Sequence, residues 1–168
     1  EFVRLALEEA DADYLDVARS GPRGMAAMLR LMESRVVRQP PFAPPFLKAG
    51  KVIVGQTANI LQFLGPRLGL APRADAGRLW AHQLQLTVAD FVLETHDTHH
   101  PIAGSLYYED QRPEAKRRAA LFLRERVAKF LGYFEQVLSR SRGRWMTGGK
   151  LSYVDLSIFQ AIEGLRYA

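Results

Sequence analysis

The sequence predicts an α/β amino-terminal segment, residues 1–70, followed by an all-helical segment, residues 75–168. A short β-branched run at residues 52–54 follows a turn signal and has residues 46–47 as its partner strand, which predicts a hairpin. After Gly55 the spacing of apolar residues changes from the strand period to the helix period. Beyond residue 75 the helical period continues throughout.

The amino-terminal segment is expected to contain further elements. Residues 1–10 have helical spacing, residues 14–17 are expected to form a short strand, and residues 25–32 a helix. Residues 39–45 contain four prolines, which exclude a helix and favour extended backbone. Glycine and proline in residues 67–75 mark the boundary between two domains.

Three helices are expected after this boundary. Asp75 is expected to cap the first, which extends toward His99, and Ser152 begins the last. Pro113 and Glu114 open the long helix between them. Its expected buried stripe consists of Ala120, Leu121, Leu123, Val127, Phe130, Leu131, Phe134, Val137 and Leu138.

The helix that follows the hairpin has the properties of an anion site. Thr57 is expected to cap it, and its apolar stripe includes Ile60, Leu61 and Leu64. A helix that begins directly after a strand leaves backbone N–H groups unpaired, and its dipole adds partial positive charge. We therefore expect a small carboxylate to bind there, with the Thr57 hydroxyl as an additional donor.

Two motifs resemble one known family. Pro44, the hairpin, the run Gln56-Thr57 and the later Gly69-Leu70 resemble the end of the thioredoxin-like domain of cytosolic glutathione transferases. Residues 151–155, Leu-Ser-Tyr-Val-Asp, resemble the capping box of that family's helical domain. The resemblance covers nearly the whole chain and implies a thioredoxin-like domain at 1–70 and an all-α domain at 75–168.

The resemblance also implies where glutathione, the co-substrate, would bind. Gln56 and Thr57 would hold its γ-glutamyl end, and a cis Ala43–Pro44 bond would turn the Ala43 backbone toward its cysteinyl part. Counting back from Gly50 favours Pro44 over Pro45 as the cis proline, and the hairpin is one residue longer than usual, which leaves Pro45 as the alternative. The alternative for the prolines is a rigid spacer that fixes the entry to the hairpin. Asp90 would reach glutathione in the neighbouring subunit of a homodimer, and its alternative is a solvated helix carboxylate.

The resemblance places His96, His99, Tyr107 and Tyr108 beside the cleft for the second substrate, although Tyr108 could instead be packed in the protein interior. His96 and His100 also have the i, i+4 spacing of a zinc chelate. No fourth ligand can be nominated, and a polar helix end before Pro101 explains the same residues. We therefore expect no metal.

Ser152 and Asp155 are interpreted as structural. The Ser152 hydroxyl is expected to accept from the Asp155 N–H, while the Asp155 carboxylate accepts from the Ser152 N–H. Leu151 and Leu156 are expected to act as the accompanying hydrophobic staple.

Composition excludes several classes of function. The 168 residues include no cysteine, so the chain has neither a disulfide nor a thiol nucleophile, and the cytoplasm is the expected compartment. No run approaches the about 20 apolar residues of a membrane span. The net charge of +5 alone could suggest nucleic acid, but the basic residues of the long helix are interspersed with Glu114 and Glu125 and indicate a solvated face. We expect neither a nucleic-acid nor a membrane partner.

The sequence is compatible with two functions. The first is a glutathione transferase, most similar to the sigma and related classes, that conjugates the glutathione thiolate to small apolar electrophiles. The second is a non-catalytic module of the same fold used for binding or assembly, because fold does not determine function.

The resemblance also predicts that the sequence is incomplete at both ends. In the family, the group that activates the thiol follows a central first strand, and this chain starts at the helix after it. Without that strand, residues 14–17 would have no neighbour joining them to the hairpin. No catalytic residue is therefore assigned, and Tyr14 is not promoted to that role.

Overall fold

A computed structural model describes residues 1–141 and 144–167. Within these ranges the secondary structure is mainly helical, with one small sheet. In chain order the elements are α1 (Phe2–Glu9), α2 (Gly24–Met32), β1 (Phe46–Ala49), β2 (Val52–Gly55), α3 (Thr57–Arg67), α4 (Asp75–His96), α5 (Arg112–Leu121), α6 (Ala128–Arg140) and α7 (Tyr153–Tyr167). A π-helical segment, Phe122–Val127, joins α5 to α6.

The predicted hairpin is present. Strands β1 and β2 are antiparallel, with Phe46 opposite Gly55 and Ala49 opposite Val52. Gly50 turns the chain with a φ of +60°, a conformation that glycine adopts without steric cost. The buried Val54 packs with Ile60 of α3 in a small cluster, which holds the start of α3 against the sheet.

The larger core lies between the later helices and is centred on Phe91 of α4. Its ring centroid lies 6.1 Å from that of Phe122, 4.8 Å from that of Phe130 and 6.3 Å from that of Phe134. Leu61 of α3 belongs to the same cluster and thereby joins the amino-terminal segment to the helical one. Each such side chain contributes about 1.5–3 kcal/mol through burial.

The expected strand at residues 14–17 is wrong. The chain is irregular there and forms a 3₁₀ turn at Val17–Arg19. Its polar groups bond locally instead: the Tyr14 hydroxyl donates to Glu8 at 2.6 Å, and the Ala12 N–H donates to the Leu7 carbonyl. Within the described ranges no strand lies beside this segment, so an extended backbone would have no ladder to join.

The expected buried stripe of the long helix is partly wrong. Phe130, Phe134 and Val137 are buried, but Leu121 and Leu123 are exposed while Phe122 is buried. The π-helical segment explains the difference, because its wider turns shift the positions that face the core relative to an unbroken α-helix.

The described part of the chain has neither a metal-binding cluster nor a membrane-spanning helix. No group of three or more His, Asp or Glu side chains is arranged to hold a metal ion. None of the described helices is both long and apolar enough to cross a membrane.

Candidate binding site

A cavity of about 520 Å³ opens where the proline-rich approach meets the hairpin and α3. Four of the predicted glutathione-binding residues border it together. These residues are Ala43, Pro44, Gln56 and Thr57. Residues distant in sequence reach the cavity because β2 leads directly into α3, while the extended prolines run alongside.

The start of α3 differs from the prediction by one residue. Gln56 is the N-cap and Thr57 the first helical residue, so Thr57 does not cap the helix. The first helical hydrogen bond runs from the Ile60 N–H to the Gln56 carbonyl at 2.9 Å. The N–H groups of the three residues between them have no backbone acceptor in the described ranges, as is usual in a first helical turn. They and the Thr57 hydroxyl remain available to a ligand.

Gln56 has an unusual backbone conformation, with φ +66° and ψ 120°. A non-glycine residue in such a region costs about 1–3 kcal/mol, and such residues cluster at ligand clamps. The conformation lets the chain leave β2 and enter α3 without an intervening loop. It thus places the unpaired N–H groups and the positive end of the helix dipole at the cavity, an arrangement that suits a carboxylate.

The favoured cis position, Ala43–Pro44, is wrong, and the neighbouring alternative, Pro45, is the cis proline. The cis bond joins Pro44 to Pro45. Strand β1 begins at Phe46, so Pro45 is the residue that adjoins it. Both Ala43 and Pro44 still border the cavity and are exposed.

Asp90, the fifth predicted glutathione-binding residue, does not border the cavity. It is exposed on α4, four residues after Leu86 and three before Leu93. These spacings place the three side chains on one face of the helix. Leu86 is 48% and Leu93 61% exposed, so Asp90 lies on an apolar outer surface.

The four residues predicted for the second substrate lie outside this cavity, at the end of α4 and in the loop after it. His99 lies beside Tyr108, with ring centroids 6.0 Å apart, while His96 stacks on His100 at 4.9 Å. Tyr107 is 77% exposed. The structure thus brings His99 and Tyr108 together and leaves Tyr107 in solvent.

Gln111, which the sequence analysis did not single out, organises that loop. It is fully buried, and its Oε1 accepts from the Ile102 N–H at 2.9 Å. Its Nε2 donates to the carbonyls of Ala103 and Leu106, both at 3.1 Å. No sequence signal distinguishes this glutamine from a solvated one, because its partners are backbone groups five to nine residues earlier.

The side chains of Glu94 and Arg126 form a bidentate ion pair between α4 and the π-helical segment. The guanidinium donates to the two carboxylate oxygens at 2.8 and 2.6 Å. The hydrogen bonds from Arg126 hold the pKa of Glu94 below its ordinary value, against the opposing effect of burial. The pair joins the last turn of α4 to the π-helical segment.

Ser152 and Asp155 interact as part of a helix cap, with one difference from the expected pattern. The Ser152 N–H donates to Asp155 Oδ2 at 2.8 Å. The Ser152 hydroxyl donates to the same oxygen at 2.6 Å, rather than accepting from the Asp155 N–H. The Asp155 N–H donates to the Ser152 carbonyl instead. All partners are protein groups, which indicates a structural role.

Comparisons with known proteins agree on one family. The family model "Glutathione S-transferase, C-terminal domain" matches residues 96–168. A glutathione S-transferase of Plasmodium yoelii yoelii is 23% identical over 98% of this chain and 72% of its own length. One of Plasmodium falciparum is also 23% identical, over 98% of this chain and 74% of its own. A Caenorhabditis elegans glutathione S-transferase structure superposes with a TM-score of 0.65 at 18% identity, covering 99% of this chain and 75% of that one.

Proposed function

We infer that this chain is a member of the glutathione S-transferase family, and we propose that it binds glutathione at the start of α3 and conjugates its thiolate to small apolar electrophiles. The observation that carries the proposal is the unpaired first turn of α3, which opens with the Thr57 hydroxyl into the 520 Å³ cavity. Such a turn binds a carboxylate without a cation.

In this proposal the γ-glutamyl carboxylate accepts from the N–H groups of the first turn and from the Thr57 hydroxyl. The Gln56 side chain, exposed at the same end, hydrogen-bonds the remaining polar atoms of the γ-glutamyl group. Ala43 offers both a backbone N–H and a carbonyl to the cysteinyl part, whereas Pro44 offers only a carbonyl. The proline segment is stiff, so little conformational entropy is lost when the peptide binds.

The residues of this chain bind and orient glutathione; the group that activates its thiol is not assigned to any of them. The thiolate sulfur attacks the electrophilic carbon, a C–S bond forms, and the leaving group departs with its bonding electrons. The thiol proton passes to solvent. His96, His99, Tyr107 and Tyr108 are proposed to border the electrophile. Their aromatic character suits an apolar substrate.

We further propose that the chain forms a homodimer through the exposed face of α4. Leu79, Leu86 and Leu93 recur at seven-residue intervals and are 67%, 48% and 61% exposed. An aligned stripe of leucines is costly in water and would be covered by an equivalent surface. Asp90 lies on this face, where it could approach the glutathione of the partner. The division into domains at 1–70 and 75–168 and the cytoplasmic location remain predictions.

Two measurements on the full chain test the proposal. Isothermal titration calorimetry with glutathione should show one site per chain. Thr57→Ala should weaken glutathione binding. Thr87→Ala, which changes a threonine on α4 outside the cavity, should leave the affinity unchanged. Chloride release from 1-chloro-2,4-dinitrobenzene then distinguishes an active transferase from a non-catalytic module. Binding without turnover would favour the non-catalytic alternative, and no glutathione binding would exclude the transferase and leave an assembly module.

A further inference from the structure

The loop of residues 101–107 follows α4 and leads into the 3₁₀ turn Tyr108–Gln111. Every residue of this loop is exposed or half-buried, and its aliphatic side chains Ile102 and Leu106 are 58% and 36% exposed. A loop that buries few apolar groups has little local stability of its own, so polar contacts determine its conformation. Three of the residues proposed to border the electrophile lie in this loop or beside it.

Gln111 supplies those polar contacts from inside the protein, where its side chain is 0% exposed. Its Oε1 accepts from the N–H groups of Ile102 at 2.9 Å and Ala103 at 3.4 Å. Its Nε2 donates to the carbonyls of Ala103 and Leu106, both at 3.1 Å. One amide therefore holds the beginning and the end of the loop together.

The rings on the two sides of the loop lie close to each other. His99 precedes the loop and Tyr108 follows it, and their ring centroids are 6.0 Å apart. The Thr98 hydroxyl donates its only hydrogen to the Thr95 carbonyl at 2.7 Å, so it accepts from the Nδ1–H of His99 at 3.0 Å. This contact orients the His99 ring independently of Gln111. Tyr108 shares its 3₁₀ turn with Gln111, so the placement of its backbone depends on that residue.

We propose, resting on the transferase function above, that Gln111 is a positioning residue for the electrophile. By holding the loop it keeps Tyr108 beside His99, and these two rings border the electrophile while Gln111 touches neither substrate. A displacement of about 1 Å at such a site can slow a reaction about 100-fold, because the reacting atoms no longer align. Loss of the amide should therefore affect the electrophile and leave glutathione, bound at α3, unaffected.

The main variant is Gln111→Glu, which keeps the acceptor for the Ile102 N–H and removes both donated hydrogen bonds. Its KM for 1-chloro-2,4-dinitrobenzene should rise about five- to tenfold, while its Kd for glutathione stays within about twofold of wild type. Gln111→Asn, whose amide is one methylene too short, should show the same change in KM. A merely structural defect reduces the amount of folded enzyme, which lowers kcat and leaves both constants unchanged.

The control for loss of a buried polar group is Ser157→Ala. The Ser157 hydroxyl is buried in α7 and donates to the Tyr153 carbonyl, so it shares no hydrogen-bond partner with Gln111. Its removal should leave the KM for the electrophile unchanged.

A double variant tests whether Gln111 acts through Tyr108. Tyr108→Ala should raise the KM for the electrophile, and adding Gln111→Glu should raise it no further, because the displaced ring is already absent. The proposal is overturned if the wild type is active and both Gln111 variants share its KM, if Tyr108→Ala leaves KM unchanged, if the effects multiply in the double variant, or if glutathione binding weakens equally. A wild type that binds glutathione without turnover overturns the transferase function and this inference with it.

Discussion

The carboxylate of Asp155 holds the backbone of Met146. Its Oδ1 accepts the Met146 N–H at 2.7 Å, while Oδ2 accepts from Ser152. Met146 is only 1% exposed, so its N–H is removed from water and depends on this acceptor. One side chain thus caps α7 and anchors the loop before it.

Asp155→Ala should lower the free energy of unfolding by about 2–4 kcal/mol, because it leaves the buried Met146 N–H unpaired and removes the cap. Urea denaturation monitored by circular dichroism measures the effect. Asp13→Ala, which changes an exposed aspartate before the 3₁₀ turn, should change stability by less than about 0.5 kcal/mol. Equal midpoints for the two variants would contradict the anchoring role.

Glu94→Gln should destabilise the protein by about 1 kcal/mol at pH 7, because it removes the bidentate pair with Arg126. The folded pKa of Glu94 lies below the ordinary value of 4.5, so the stabilisation is full above pH 4.5 and disappears as pH falls through the folded pKa. Denaturation curves from pH 3 to 7 should converge on the acid side.

The control is Glu125→Gln, which breaks a pair with Arg124 that is exposed on both sides. Its effect on the free energy of unfolding should be smaller at pH 7. A constant difference between wild type and Glu94→Gln across this range would show that charge is not responsible.

Gln85→Met should raise the free energy of unfolding by about 1 kcal/mol. Gln85 is 1% exposed, and its Oε1 has no hydrogen-bond partner among the described residues. Methionine has nearly the same shape and carries no polar atom that must leave water. Thermal unfolding measures the change, with Gln83→Met on the exposed side of α4 as the neutral reference. A lower melting temperature for Gln85→Met would indicate that the amide is satisfied.

Thr57→Ala should weaken glutathione binding by about 1.5–3 kcal/mol, because a hydroxyl that donates to a charged group is lost. Thr57→Ser retains the hydroxyl and should bind nearly as wild type. Titration calorimetry gives both dissociation constants. If alanine and serine variants bind alike, the hydroxyl makes no contact with the ligand.

Asp90→Asn should weaken glutathione binding only when the chain is dimeric, since the carboxylate is proposed to act across the interface. Sedimentation establishes the oligomer, and Leu86→Lys should shift it toward monomer by placing a charge on the apolar face. A dimer in which Asp90→Asn binds glutathione like the wild type would remove Asp90 from the site.

Local sequence signals were enough to predict the hairpin and the helix after it. Gly50 supplies the turn, the β-branched run supplies β2, and the change of period after Gly55 starts α3. These are interactions between residues a few positions apart, and the family resemblance built on them is confirmed, as is the fold class. The same local signals predicted that Gln56 and Thr57 lie at the start of one helix.

The exact positions of the helix cap, the cis bond and the buried residues were less predictable than the elements themselves. The cap of α3 fell on Gln56 and the cis bond on Pro45, each one residue from its expected place. Periodicity assumed an unbroken α-helix after Pro113, so the π-helical segment and the burial of Phe122 were not foreseen.

The sequence by itself determined the hairpin, the helices and the resemblance, because turn residues and apolar spacing act within a few positions. Only the tertiary structure decided that residues 14–17 are not a strand, that Gln111 holds the loop after α4 and that Asp155 holds Met146. A strand requires a neighbour, and a buried amide or carboxylate requires partners that other segments provide. Those partners are brought together by the fold and leave no mark on the spacing of residues along the chain.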